Sequence, residues 1–389
     1  MRDVPLERAL ELAGELTVEP EPEAVPIDGA AGRLLGEEVD AAVDLPPFHA
    51  SAMDGWALRA ADTPGQMRLV GESAAGVPWP GMLGPGEAVR ISTGAAMPAG
   101  ADAVLRLEEG AEADGRVVAR AGLPVGRDVR ARGEVVRAGE RLMGPGDLVS
   151  TAALGGLAAA GAATLRCRRR PRVAILASGR ELAPLGRPLE PGAVYDSTRL
   201  GIRAQAEAAA AQVVAFERVD DDPEATDAAV RRLLDDGADL LVTVGGISGG
   251  RHDHVRAAMA AAGVEEVFRG VRVSPCRPAW LGVRGAQRAL GLPGNPVSAA
   301  VAFHLFGRPL LGRREDWSRR APLGERHRTP PGRAEALRCR EEDGTLVPMA
   351  DQASHAVTSL FGSTALAWIP AGAEVEAGEQ VRYSPLDRA

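Results

Sequence analysis

Leu240-Leu-Val-Thr-Val-Gly-Gly-Ile-Ser-Gly-Gly250 is the stretch that decides how this chain folds. A short apolar run predicts a buried strand. The glycines after it predict a turn whose bare backbone N–H groups face an anion. The flanking sequence repeats the pattern. Val173-Ala-Ile-Leu-Ala177 and Gln212-Val-Val-Ala-Phe-Glu217 read as strands, and 197–211 and Asp222–Asp236 as helices, with Pro223 suited to a first turn. Strands alternating with helices predict a mostly parallel sheet with helices on both faces. Ligands of such sheets bind beyond the carboxyl ends of the strands.

A second loop, Leu292-Pro-Gly-Asn-Pro-Val-Ser298, has the same setting and leads into a helix expected over 296–306. Together the loops suggest one pocket for a phosphorylated or oxyanionic ligand. Taken singly, each reads equally well as a tight strand-to-helix turn, with Asp253 as the cap of the first. Between them Arg277 is flanked by Pro275 and Pro278, a held guanidinium suited to an oxyanion or a surface Arg in a turn. Glu181, in Ala177-Ser-Gly-Arg-Glu-Leu182, falls at the same sheet edge. Asp196 either caps a helix or holds ligand hydroxyls. Asp220, Asp221 and Asp222 precede Pro223 and form a helix N-terminus or a divalent-metal or sugar contact. In Leu45-Pro-Pro-Phe-His-Ala-Ser-Ala-Met-Asp-Gly-Trp-Ala57, Asp54 is a turn residue or the one carboxylate of a catalytic loop. His252 and His254 have no third ligand in view for zinc, and no Ser has a His partner at triad spacing.

Composition narrows the class. The 389 residues allow several domains, and 45% hydrophobic with 25% charged residues fits a soluble globular protein. A net charge of -8 and 3% aromatics argue against nucleic-acid binding. Every one of the 45 Lys+Arg residues is Arg, so any cationic site uses guanidinium groups. Three scattered cysteines suggest a reducing compartment, and a charged N-terminus with no long apolar run suggests a cytoplasmic protein without a membrane span. Residues 45–150 are rich in Gly, Pro and short apolar runs, a β-rich pattern; 307–333 reads as a Pro/Arg-rich linker; the remainder reads as a small β domain with a turn at Glu341-Glu-Asp-Gly344.

In order along the chain, these segments resemble the MoeA family, the molybdopterin molybdenumtransferases that include the gephyrin E domain. Leu45–Arg59 resembles "LPPFDNSAMDGYAVR", Arg90–Glu109 resembles "RIMTGAPMPEGADAVVxxE", and Arg132–Glu134 resembles "RRGED". Arg172–Leu182 resembles "RVAIxSTGDEL", Val194–Arg199 "IYDSNR", Asp239–Val255 "DVVITSGGVSVGEYDYV", and Arg272–Ser298 "KPGKPxxFG…GLPGNPVSA". The resemblance implies a homodimer that inserts molybdate into adenylylated molybdopterin and releases AMP, with Mg²⁺ and a site shared between protomers. A molybdopterin adenylyltransferase is an implied partner. The implied domains are 1–45 with 138–170 (helical and linker region), 46–137 (β-rich, carrying the Asp54 loop), 171–312 (molybdopterin-binding α/β) and 313–389 (C-terminal β).

Carried over residue by residue, the resemblance makes Asp54, Glu181 and Asp253 the expected catalytic acids. The expected substrate contacts are Asp196, Ser197, Gly245, Gly246, Ser248, Gly249, Arg277, Pro293, Gly294, Asn295, Pro296, Ser298, Arg338 and Ser354. Asp221 and Glu181 are the expected metal residues. The chain departs from the family pattern at Val135, Arg180, Arg251, Ser274 and Cys276. Those replacements leave a second expectation, a non-catalytic homologue that holds or carries molybdopterin. A third reading is an adenylyltransferase or pyrophosphatase built on the same α/β domain.

Overall fold

The computed structural model describes residues 1–247, 254–313 and 317–386. They form two compact units, Met1–Pro20 with Arg169–Ala389, and Glu21–Arg168.

The first unit is built on seven strands: β1 (Arg2–Val4), β2 (Arg172–Ser178), β3 (Gln212–Val219), β4 (Leu240–Val244), β5 (Glu265–Val271), β6 (Trp280–Arg284) and β7 (Gln287–Leu292). Their order across the sheet is β1-β5-β6-β7-β4-β2-β3. β7, β4, β2 and β3 run parallel, β6 is antiparallel to both neighbours, and β1 is parallel to β5. The sheet is therefore mostly parallel, as strand–helix alternation predicts. β6 is the antiparallel exception; in its hairpin with β7, Arg284 pairs with Gln287, and Gly285 turns the chain at φ +56°.

Helices α1 (Leu6–Glu15), α2 (Ser197–Ala208), α3 (Pro223–Asp235), α4 (Val255–Ala261) and α5 (Pro296–Ala302) cover the sheet. Successive residues of a strand point to opposite faces, and β2 feeds two cores in this way. Val173, Ile175 and Ala177 pack with Leu6, Ala9, Ile202 and Ala299. Ala174 and Leu176 pack with Val230, Leu233, Val255 and Met259. On α3 the buried residues Thr226, Ala229, Val230, Leu233 and Leu234 lie on one helical face. Its start is fixed by Pro223 and by the Asp222 carboxylate, which accepts the N–H groups of Glu224 and Ala225 at 2.8 and 3.1 Å. Asp222 is thus a cap, and Asp221 stands outside it. The helix expected over 296–306 leaves α geometry after Ala302 and widens to a π turn at Phe303–Gly307. Pro309 follows and has no N–H to return to Leu305.

Arg320–Pro322, Ala334–Glu342, Thr345–Pro348, Ala365–Ile369 and Gln380–Pro385 make the C-terminal sheet. The stretch expected as a 307–333 linker therefore contributes a strand. Glu342 pairs with Thr345, and Asp343 and Gly344 take φ +48° and +78°, the two positive values of a tight hairpin turn. Val273–Ser274 pairs in parallel with Ala334–Glu335, which joins this sheet to the α/β part of the unit.

The second unit holds a six-stranded sheet in the order Ala103–Arg106, Gly55–Leu58, Glu87–Ile91, Gly65–Ser73, Arg116–Ala119, Gly110–Ala113. Trp56, Leu58, Met67, Leu105 and Val117 fill its core. A smaller core gathers Val25, Leu35, Val149, Leu157 and Leu165. Among the described residues no helix is long and apolar enough to cross a membrane.

An ion pair in the second unit gives its stability an acid limit. Arg106 donates to both oxygens of Asp128 at 2.8 and 2.9 Å. That guanidinium, outweighing burial and assisted by Arg127, holds the Asp128 carboxyl below the usual carboxylate range. A folded pKa below the unfolded one means stability that is present above the unfolded value and lost as pH falls through the folded one. Asp128→Asn is therefore expected to destabilise by a constant amount above about pH 5, with the difference from the parent vanishing in stronger acid. Paired urea melts across pH check this; a pH-independent difference would contradict it.

Candidate active site

Three adjacent parallel strands, β7, β4 and β2, end side by side at Leu292, Val244 and Ser178. Their loops interlock. Gly245 and Gly246 follow β4 with φ +81° and +67°, a backbone that residues with side chains rarely adopt. A Cβ on Gly245 would stand 2.8 Å from the Ser178 carbonyl oxygen, and one on Gly246 2.6 Å from Val255 Cγ2. The Gly245 N–H donates to Leu292 O at 3.0 Å, so the two sequence-selected loops are bonded to each other.

The Pro293–Pro296 turn is tethered from two further sides. Thr198 Oγ1 donates to Gly294 O at 3.1 Å, and Asn295 Nδ2 donates to Ser354 Oγ at 3.1 Å. Gly245, Gly246, Pro293, Gly294, Asn295 and Ser354 are thus gathered at one strand-end edge, with Ser197 exposed at the start of α2. Thr198 belongs to the same constellation but escapes a reading of the sequence. Its signal was its place beside Ser197 in Asp196-Ser-Thr-Arg199.

Other expected residues are spent internally. Ser298 is buried and donates to Pro275 O at 2.9 Å, fixing the Ser274–Arg277 turn. Asp196 does not cap α2 with its side chain; it pairs with Arg199 at 2.7 Å, and Arg199 lies 4.0 Å from the Phe216 ring centroid. That carboxylate is already neutralised. Arg338 is 1% exposed. Its Nε donates to Ser359 Oγ at 2.8 Å and its Nη2 to Asp351 O at 3.3 Å. Burial lowers its pKa, but a guanidinium remains charged. Gln352 exchanges two bonds with the Arg338 backbone, at 3.1 and 2.8 Å. Arg338 therefore shapes the Asp351–Ser359 segment, and through it the position of Ser354.

The acids occupy distinct places. Glu181 is exposed and folds over Gly179, its oxygens 2.8 Å from where a Gly179 Cβ would stand. Asp221 follows β3, whose Val219 is in register with Ser178, so both acids extend from neighbouring strand ends. Ser248, Gly249, Asp253 and the departure at Arg251 lie outside the described residues. Asp54, in the second unit, immediately precedes the strand Gly55–Leu58. Its Oδ1 accepts the Thr93 N–H at 2.6 Å, and its carbonyl accepts the Leu107 N–H at 3.2 Å. Gly55 permits this, because a Cβ there would fall 1.9 Å from Leu105 O.

Arg277 is exposed and reaches Asp3 at 3.4 Å. With Asp3, Arg272, Arg333 and Pro330–Gly332 it lines a cleft of about 460 Å³. Cys276, beside it, is fully buried, and burial pushes its thiol up to about 12, which leaves it inert. Among the described residues no three His, Cys, Asp or Glu side chains gather as a metal cage.

Comparison with known proteins places this geometry. Residues 4–161 match the family described as "MoeA N-terminal region (domain I and II)", 174–313 match "Probable molybdopterin binding domain", and 320–386 match "MoeA C-terminal region (domain IV)". The chain is 35% identical to molybdopterin molybdenumtransferase 2 of Mycobacterium tuberculosis, covering 94% of this chain and 95% of that protein. It is 32% identical to the molybdopterin molybdenumtransferase of Synechococcus elongatus, covering 94% of each. A crystal structure of a molybdopterin biosynthesis MoeA protein from Pyrococcus horikoshii superposes with a TM-score of 0.84 at 28% identity, covering 100% of both chains. Matched along nearly its whole length in sequence and in fold, the chain belongs to the MoeA family of molybdopterin molybdenumtransferases.

Proposed function

We propose that the protein inserts molybdate into adenylylated molybdopterin, breaking the phosphoanhydride to adenylate and releasing AMP. The observation that carries this reading is the interlocked strand-end edge, where Gly245, Gly246 and the Pro293–Asn295 turn meet Ser354. The names of the relatives and of the central domain support it. Glycine loops without side chains let backbone N–H groups approach phosphate closely. Molybdate and phosphate are both tetrahedral oxyanions, so one constellation suits both. Ser197 and Ser354 offer hydroxyls, and Arg277 offers permanent positive charge.

Phosphoanhydride cleavage needs neutralised charge and a positioned carboxylate. Mg²⁺ takes one or two carboxylates and completes its shell with water and substrate phosphates. Exposed Glu181 and half-exposed Asp221, at neighbouring strand ends, offer that donor set. When bound there, the ion would offset the anhydride charge. Asp253 completes the proposed acids of this unit. Asp54 would be supplied by a second copy in a homodimer, accepting a proton or ordering the reacting oxygen. In this reading the protein is cytoplasmic and receives its substrate from a molybdopterin adenylyltransferase.

The Arg180, Ser274 and Cys276 replacements favour one competing reading, a carrier that binds the pterin without turnover. Purified protein with adenylylated molybdopterin, molybdate and Mg²⁺ is expected to release AMP in proportion to pterin consumed. Tight pterin binding with no molybdate-dependent AMP would replace the transferase reading with the carrier.

A further inference from the structure

The outer edge of the seven-stranded sheet carries four arginines around one aspartate. β1 pairs with β5 so that Arg2 lies opposite Arg269. Asp3 takes φ +44° and sits over Gly270, where a Cβ would come within 3.0 Å of Asp3 Oδ1. Arg256 on α4 and Arg277 close the ring. With Ile247, these side chains line a cleft of about 460 Å³ that shares Asp3 and Arg277 with the Arg333 cleft and adds Arg2, Arg256 and Arg269.

The charges in this cleft are out of balance. Arg277 has Asp3 at 3.4 Å, whereas Arg2, Arg256 and Arg269 have no ion-pair partner among the described residues. Arg256 Nε is buried and has no hydrogen-bond acceptor among the described residues. Leaving such a donor unpaired is destabilising, and an incoming acceptor removes that cost. The chain as a whole carries -8, so this positive field is local. Guanidinium groups stay charged at every physiological pH, and their forked donors match phosphate oxygens.

We propose that this cleft binds a small anion of the diphosphate class, at a site beside the strand-end loops that borders them at Ile247. One phosphate carries about -1.5 to -2 at neutral pH, short of what four guanidiniums and one carboxylate leave uncompensated. Two linked phosphates match it. The volume is that of a small-ligand site, which argues against an acidic protein surface as the occupant. Only Arg277 is shared with the substrate site proposed above. Arg2, Arg256 and Arg269 belong to this cleft alone.

Calorimetric titration of the full chain with pyrophosphate tests this, with orthophosphate and molybdate as comparison arms. Pyrophosphate is expected to bind at least about tenfold tighter than either. The double variant Arg2→Gln/Arg269→Gln is expected to weaken pyrophosphate at least about tenfold while leaving the melting temperature and AMP release unchanged. Arg256→Gln, on a helix outside the β1–β5 pair, should weaken it in the same direction. No binding by the parent up to about 1 mM would overturn the proposal. So would affinity retained by both variants, or affinity lost only on changing Gly245, since the anion would then sit at the strand ends. The titration requires no turnover, so its result is separate from that of the AMP assay.

Discussion

Asp54→Asn is expected to lower molybdate-dependent AMP release by about a thousandfold while leaving the fold intact. The substituted side chain keeps its shape and its carbonyl oxygen, so the bond from the Thr93 N–H at 2.6 Å survives. Asp54 is exposed, and among the described residues its side chain makes no hydrogen bond besides the one to Thr93. Unfolding free energy should therefore stay within roughly 0.5 kcal/mol of the parent. Only the negative charge and the capacity to take a proton are lost. Steady-state AMP release beside a urea melt separates the two effects. Activity within about tenfold of the parent would remove Asp54 from the chemistry.

The second large effect concerns Gly245. Gly245→Ala forces a side chain into φ +81° and places a methyl 2.8 Å from Ser178 O, a backbone atom at the end of an interior strand. The left-handed backbone alone costs about 1–2 kcal/mol. Relieving the clash means moving a strand end, so a total on the order of 3 kcal/mol is expected. Binding should suffer as well, because the loop is bonded to Leu292 and abuts Gly294. Fluorescence titration with molybdopterin is expected to show at least about a tenfold weaker Kd. Unchanged affinity would separate the glycine loop from the ligand. The two variants also test the shared site. If Asp54 serves the partner's strand ends, random mixed dimers regain roughly a quarter of parental activity. If each chain is self-sufficient, mixing restores nothing.

Much of the α/β part was legible because its signals are local. Val173–Ala177 and Leu240–Val244 are apolar runs buried on both faces, and Asp222-Pro223 announces a helix start within three residues. The β6–β7 hairpin and β1 were not legible. A three-residue edge strand acquires meaning only when Glu265–Val271 arrives beside it, far along the chain. The site divides in the same way. Gly245, Gly246 and Asn295 could be selected from sequence because glycine and Asn-Pro turns mark loops by themselves. Ser298, Arg338 and Asp196 carry groups that suit a ligand, but sequence does not say which way they face. The fold turns them towards Pro275, Ser359 and Arg199. Arg277 shows the reverse. Its prolines allowed a held guanidinium or a surface Arg, and the structure leaves it exposed with Asp3 as its neighbour.

The tethering of Gly294 by Thr198 and of Asn295 by Ser354 has a kinetic meaning. A turn held by neighbouring elements loses little conformational entropy when a ligand arrives. Association then resembles entry into a finished mould, with a rate set by encounter and not by a closing step. Cutting the Thr198 tether, as in Thr198→Val, would leave the proposed ligand groups in place and make the mould slower to fill.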